Sequence, residues 1–140
     1  MDLERAIEIA ASAHRGQIDK AGQLYILHPL RVMLACEGQA ARIVAVLHDV
    51  IEDTDWTSDA LRKEGASADI LAALDAVTKR KGESYSEFIE RAAQNPIGRD
   101  VKMADLRDNM DLSRIAEPSA ADLARMDRYR SALRTLNSLS

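Results

Sequence analysis

Apolar positions recur along most of the chain at steps of three and four, the spacing of one face of an α-helix. Leu3, Ile7, Ile9 and Ala10 carry that spacing through residues 2–14. RGQIDKAGQLY (15–25) interrupts it with two glycines and predicts a loop. His28-Pro29 predicts a new helix, because proline suits a first helical turn, and it leaves His28 at or beside the cap. That helix should run to about Cys36 before Gly38 stops it, and a third should cover roughly 39–51. Asp55 or Thr57 would cap the next helix and Gly65 would end it. Helices over 67–78, 84–94, 97–110 and 119–137 complete the pattern. The alternation in Leu24-Tyr25-Ile26 is too short for a strand. The expectation is an all-α bundle of seven to eight helices forming a single domain over 1–140.

Composition narrows the function. With 140 residues, 46% of them hydrophobic and 30% charged, the chain can bury a real core. A net charge of −4 argues against nucleic acid as a partner. The N-terminal MDLERAIEIA is charged and amphipathic, unlike a secretory signal, and no stretch approaches the roughly 20 apolar residues of a membrane span. A cytoplasmic protein without a membrane partner is therefore expected. The lone cysteine, Cys36, excludes an internal disulfide and a paired-cysteine zinc site, and its apolar helix suggests burial without reactivity. Leu123, Met126, Tyr129, Leu133 and Leu136 form a stripe on the last helix that could cover the core or a second copy in a homodimer. Trp56 reads as a packing residue.

The stretch LHDVIEDT (47–54) gathers a histidine and three acids without a lysine. On a continuous helix, with His48 set at zero, Glu52 falls near 40°, Asp49 near 100° and Asp53 near 140°. Val44, Val46, Leu47, Val50 and Ile51 take the other side. A solvated face usually mixes charges, yet Arg42, two turns away, is the only cation here. Acids in a last turn also oppose the helix dipole by about 0.3–1 kcal/mol each, which a bound metal would offset. Further donors must come from other elements: His28, His14, or Asp105, which shares a face with Asn109 at i, i+4.

His28, His48-Asp49 and Asp105 follow the order H…HD…D. Together with AHRGQ (13–17), KAGQLYILHPL (20–30), VTK (77–79) and KMADLRDNM (102–110), they resemble the HD-domain superfamily of metal-dependent phosphohydrolases. The order and spacing are similar to those of the (p)ppGpp hydrolase domain of RelA/SpoT-type proteins and their small stand-alone relatives, from about residue 3 to 115. The resemblance implies an all-α fold with His28, His48, Asp49 and Asp105 holding Mn²⁺, a mixed N/O set that also accepts Fe²⁺ or Zn²⁺. It implies removal of the 3′-pyrophosphate of ppGpp and pppGpp. Glu52 and Asp53 match the family's acidic pair, either of which could orient or deprotonate the attacking water.

By the same resemblance, Lys20 and Asn109 would contact substrate, and Arg15, Lys79 and Lys102 could meet phosphates. Two positions depart from the family pattern: Asp19 replaces a cation, and Leu112 stands where a threonine is usual. They keep open a second phosphorylated nucleotide, such as the 2′-phosphate of NADPH. A nucleotide-binding sensor without catalysis is the third reading, and the intact acidic pair argues against it.

Overall fold

The computed structural model describes residues 1–111, 115 and 117–138. Leu112, one of the two departures, lies outside the described residues. Among these, the chain forms helices joined by short loops: α1 (Leu3–Ala13), α2 (Leu27–Ala35), α3 (Gln39–Leu47), α4 (Val50–Asp53), α5 (Ser58–Lys63), α6 (Ala68–Ala76), α7 (Tyr85–Ala93), α8 (Pro96–Asn109) and α9 (Ala120–Ser138). The all-α expectation holds.

Local sequence explains most of the boundaries. Side chains of Asp2, Thr57, Ser67, Ser84 and Asn95 accept backbone N–H groups at the starts of α1, α5, α6, α7 and α8. Ser84 and Glu87 form a reciprocal capping box, and Pro96 occupies the first turn of α8. Of the two residues expected to cap α5, Thr57 does so. The α2 helix begins one residue earlier than His28-Pro29 suggested, at Leu27, which places His28 within its first turn. The 15–25 loop is closed by one antiparallel bridge between Ile18 and Leu24.

The third predicted helix is corrected. It does not run unbroken over 39–51 but ends at Leu47 and restarts at Val50. Backbone ψ at Asp49 is −2°, and the His48 N–H turns to Ala45 O at 3.4 Å, the tighter i→i−3 pattern. Ile43, Val44, Ala45, Val46 and Leu47 are all buried in succession, because α3 packs against α1, α2, α6 and α8. A helix surrounded on every side has no solvated acidic face, so the continuous wheel does not describe it. Glu52 and Asp53 fall in a new first turn rather than an old last one, where acids suit the dipole.

The main core gathers α1, α2, α3, α5, α6 and part of α8, with Trp56 packed against it as expected. A second cluster joins Ile89 and Ala93 of α7, Leu106 of α8, and Ala132 and Leu136 of α9. The stripe on α9 thus covers α7 and α8 within the chain, except for Leu123, which is 53% exposed. Cys36 is buried and unpaired. None of the described helices is long and apolar enough to cross a membrane.

Candidate functional site

Three segments far apart in sequence meet between α2, the α3–α4 break and α8. His28, His48 and Asp105 are buried, at 6%, 2% and 5% exposure, amid otherwise apolar packing. Charged and polar groups reach such depth only when paired or bonded to a cation. At the α3–α4 break both members of the His48-Asp49 dipeptide reach one point.

The donor atoms lie close. His48 Nε2 is 3.1 Å from Asp49 Oδ2 and 3.3 Å from Asp105 Oδ1. His28 Nε2 is 2.9 Å from Asp105 Oδ1 and 3.9 Å from Asp49 Oδ2. One atom from each of His28, His48 and Asp49 falls within 4.8 Å of the others, and Asp105 joins them through both imidazoles. Neighbouring ligands bonded at about 2.1 Å around one ion stand roughly 3 Å apart, so these separations fit a first-row divalent metal.

Tautomers make the fit more specific. His48 Nδ1 lies 2.6 Å from the carbonyl of Ala45, which can only accept, so that nitrogen carries the proton. His28 Nδ1 lies 2.6 Å from Asp108 Oδ2, and Arg31 grips the same carboxylate through Nε at 2.8 Å and Nη2 at 3.1 Å. With both Nδ1 atoms donating outward, both Nε2 atoms of the neutral rings offer lone pairs to two carboxylates. Four acceptors facing one another demand a positive species, either protons or a metal ion. Burial lowers the pKa of His48, but Asp49 and Asp105 outweigh it and hold the ring well above its ordinary value. Burial likewise opposes charge on His28, and the hydrogen bonds its ring can donate to Asp105 and Asp108 reverse the effect. Protons and a divalent cation therefore compete for the same place.

Other charges bias the cluster toward ionised carboxylates. Burial raises Asp105, yet Lys102 and His48 drive it well below the usual range. Lys102 Nζ sits 2.9 Å from Asp105 Oδ2 and is itself largely enclosed. Burial also raises Asp49, and His48 brings it down to about 2. Tyr25 is pushed up, chiefly by burial and then by Asp49, so its hydroxyl stays protonated and donates to Asp49 Oδ2.

Glu52 and Asp53 flank the cluster on α4 and reach solvent. Glu52 Oε1 accepts the Lys79 N–H at 2.6 Å. Partial burial raises both carboxyls, and the Asp49 charge pushes in the same direction. Both thus hold a proton more readily than an ordinary carboxylate, a useful property in a proton acceptor.

A cleft of about 370 Å³ opens beside His28, Tyr25 and Asn109, between the 18–25 loop, the end of α8 and α9. Lys20 lines it and pairs with Asp122 at 3.7 Å. Asn109 lines it as well and donates to Asp105 Oδ1 at 3.1 Å. Arg15 and Lys79 are exposed and do not line it; the structure ties Lys79 to the site by its backbone amide instead. Lys102 is spent on Asp105 rather than open to a phosphate. Asp19, the departure from the family pattern, turns Oδ1 back onto the amides of Ala21 and Gln23, both at 2.9 Å, and so shapes its own loop.

Several contributors escaped the sequence reading. Asp108 and Arg31 were signalled by matched i, i+3 pairs, His28/Arg31 on α2 and Asp105/Asp108 on α8. Arg125 and Tyr129 of α9 line the cleft without any local motif to announce them. His14 does not join the acceptor cluster; it lies a ring away, 5.0 Å from Tyr25.

No protein-family model matches the chain. It is 34% identical over 128 residues to a probable GTP pyrophosphokinase of Mycobacterium leprae, covering 83% of this chain and 16% of that protein. It is 32% identical over 121 residues to a guanosine-3′,5′-bis(diphosphate) 3′-pyrophosphohydrolase of Aquifex aeolicus, covering 78% of this chain and 17% of the relative. The chain thus spans about one sixth of the length of these relatives. Among solved structures, it matches a metazoan ortholog of SpoT described as hydrolysing ppGpp. The TM-score is 0.77 at 25% identity, over 98% of this chain and 84% of the other.

Proposed function

We propose, for a chain that belongs with the HD-type domains of RelA/SpoT-type proteins, that it is a metal-dependent phosphohydrolase removing the 3′-pyrophosphate of ppGpp and pppGpp. The observation that carries the reading is the convergence of His28 Nε2, His48 Nε2, Asp49 and Asp105 with no donor among them. These four would hold one divalent ion, and Mn²⁺ suits two imidazoles with two carboxylates. When bound, such an ion supplies Lewis acidity, lowering the pKa of water and polarising a phosphoryl oxygen.

The chain's own residues do the rest. Asp108 and Arg31 hold His28 in the tautomer that turns Nε2 inward, and the Ala45 carbonyl does so for His48. Glu52 and Asp53 receive the proton that water gives up as its oxygen bonds to phosphorus. The bond from phosphorus to the 3′-oxygen breaks, and that oxygen takes up the proton the acidic pair received, leaving a 3′-hydroxyl and pyrophosphate. Of the pair, Asp53 has the less encumbered carboxylate, since Glu52 is engaged by the Lys79 amide. Lys20 and Arg125, which share Asp122, and Arg31, held by Asp108, line the cleft where a nucleotide's phosphates would exchange with those carboxylates. Asn109 and Tyr129 add polar and stacking contacts.

A second reading keeps the chemistry and changes the nucleotide. Asp19, Asp111 and Asp122 also line the cleft, an acidic share that a ligand bearing four or five phosphates would not favour. A nucleotide with fewer charges at that end, such as NADPH presenting its 2′-phosphate, meets less repulsion. Product analysis with purified protein and Mn²⁺ separates the two. GDP and pyrophosphate from ppGpp, absent with Asp49→Ala, support the alarmone reading. Phosphate from NADPH with ppGpp untouched supports the second. Silence on both, with metal bound, leaves a nucleotide-binding sensor.

A further inference from the structure

The motif AHRGQ, which neither the metal cluster nor the cleft accounts for, contains Gln17, and Gln17 makes four hydrogen bonds to three different segments. Its backbone N–H donates to His14 O at 3.0 Å, and its carbonyl accepts the Tyr25 N–H at 2.9 Å. Its side-chain Nε2 reaches the carbonyl of Asp53 at 3.3 Å, and Oε1 lies 2.8 Å from His14 Nδ1. A backbone carbonyl only accepts, so the amide must present its NH₂ to Asp53 and its oxygen to His14. His14 Nδ1 therefore carries the proton. The ring is 1% exposed, and its Nε2 has no hydrogen-bond partner among the described residues. An imidazole is a costly choice for so enclosed a place if only a helix end needed filling.

Gln17 also reaches the metal cluster by a second route. The Tyr25 whose amide it fixes donates its hydroxyl to Asp49, so one residue bears on both ends of the 49–53 turn. The α4 helix is a single turn, held internally by Asp53 N–H to Asp49 O at 2.9 Å and Thr54 N–H to Val50 O at 3.2 Å. A helix that short has little stability of its own. Its carboxylates keep their place only if something outside holds the turn.

We infer that Gln17, oriented by His14, is a positioning residue that fixes the acidic turn carrying Glu52 and Asp53 relative to the metal cluster. The inference rests on the reading that this pair serves the hydrolysis. Gln17→Glu is nearly isosteric and can still accept from His14, but it sets an anion against the Asp53 carbonyl. His14→Asn can keep a donor near the Nδ1 position, whereas His14→Ala cannot.

Two readouts on the full chain test it. Hydrogen exchange of the 50–54 amides in the metal-free protein should quicken on the order of tenfold in Gln17→Glu and His14→Ala, with α8 unchanged and His14→Asn close to wild type. Steady-state kinetics on the hydrolysed nucleotide should show kcat down about 10–100-fold in the same two variants, with KM and Mn²⁺ affinity within about twofold of wild type. Unchanged exchange overturns the inference whatever the activity. Faster exchange with normal kcat reduces the contact to a structural strap and overturns it as well. A wild type that is itself inactive on every nucleotide sinks the reading of the function, while the exchange result still decides whether Gln17 holds the turn.

Discussion

The Nδ1 proton of His48 is committed to the carbonyl of Ala45 at 2.6 Å, three residues back along α3. That bond exists because the helix ends there and leaves the carbonyl without its usual i+4 partner. Its consequence is chemical: Nε2 is forced inward, 3.3 Å from Asp105 Oδ1, and acceptor faces acceptor. Adding Mn²⁺ to metal-free protein should therefore raise its melting temperature. Free metal at about 100 times its Kd would stabilise the fold by about 2.7 kcal/mol, a clear shift for a chain of this size. Thermal melts with and without Mn²⁺ check this, and Asp49→Ala should abolish the shift. A metal-independent melt in the wild type would mean that the cluster is satisfied by protons alone.

Asp108 shows how far the site extends beyond its predicted ligands. Its carboxylate takes the His28 Nδ1 proton and is clamped by Arg31, which together with burial leaves its pKa at about 2. Burial alone would raise that value; the bonds to His28 and Arg31 reverse it. Asp108→Asn keeps the shape and removes the charge that makes His28 a stronger donor to metal. Mn²⁺ affinity measured by calorimetry should fall about 10–100-fold, with the helical content unchanged. An affinity equal to wild type would reduce Asp108 to a packing role.

Glu52 and Asp53 make a sharper test, because neither is expected to touch the metal. Glu52→Gln and Asp53→Asn should each lower kcat about 10²–10⁴-fold while leaving Mn²⁺ binding intact. The larger loss should belong to Asp53, whose carboxylate is unencumbered, whereas Glu52 is also held by the Lys79 amide. Single-turnover rates and metal titrations on the same preparations separate chemistry from binding. A larger loss at Glu52 would reverse the assignment within the pair.

Much of this was legible before any coordinates. Helix positions followed from the 3.6-residue period and from punctuation such as Pro29, Thr57 and Gly65, all local signals; the caps at Ser67, Ser84 and Asn95 are equally local but emerged only with the structure. The four acceptor residues followed from a spaced pattern rather than from any one dipeptide, and the structure brings all four together. The break at His48-Asp49 was not legible. The apolar spacing from Ile43 to Leu47 resumes at Val50-Ile51 and reads as one helix, and nothing local says that it breaks at His48-Asp49. The pairing of Lys102 was illegible for a related reason. Sequence records a positive charge but not whether a buried carboxylate such as Asp105 already claims it. Arg125 and Tyr129 reach the cleft only through tertiary packing of α9, beyond the range of any motif.

The loop that holds Lys79 in place should make stability depend on acidity through Glu83. Arg91 Nε lies 2.8 Å from Glu83 Oε2 and Nη2 lies 3.0 Å from Oε1, while the same guanidinium donates to the carbonyls of Asp75 and Thr78, both at 2.7 Å. Arg91 and the Arg80 amide bring the Glu83 carboxyl from its ordinary 4.5 down to about 2. A carboxyl depressed in the folded state binds protons more readily when unfolded. Its contribution is fully present above about 4.5, shrinks as pH falls, and is gone below about 2. Urea unfolding of wild type and Glu83→Gln across that window should show a stability gap in favour of wild type that narrows steadily with acid. Comparing the two chains at each pH cancels the titration of the metal cluster, which both share. A gap that stays constant down to the lowest pH would show that the Arg91 clamp holds its loop without help from the Glu83 charge.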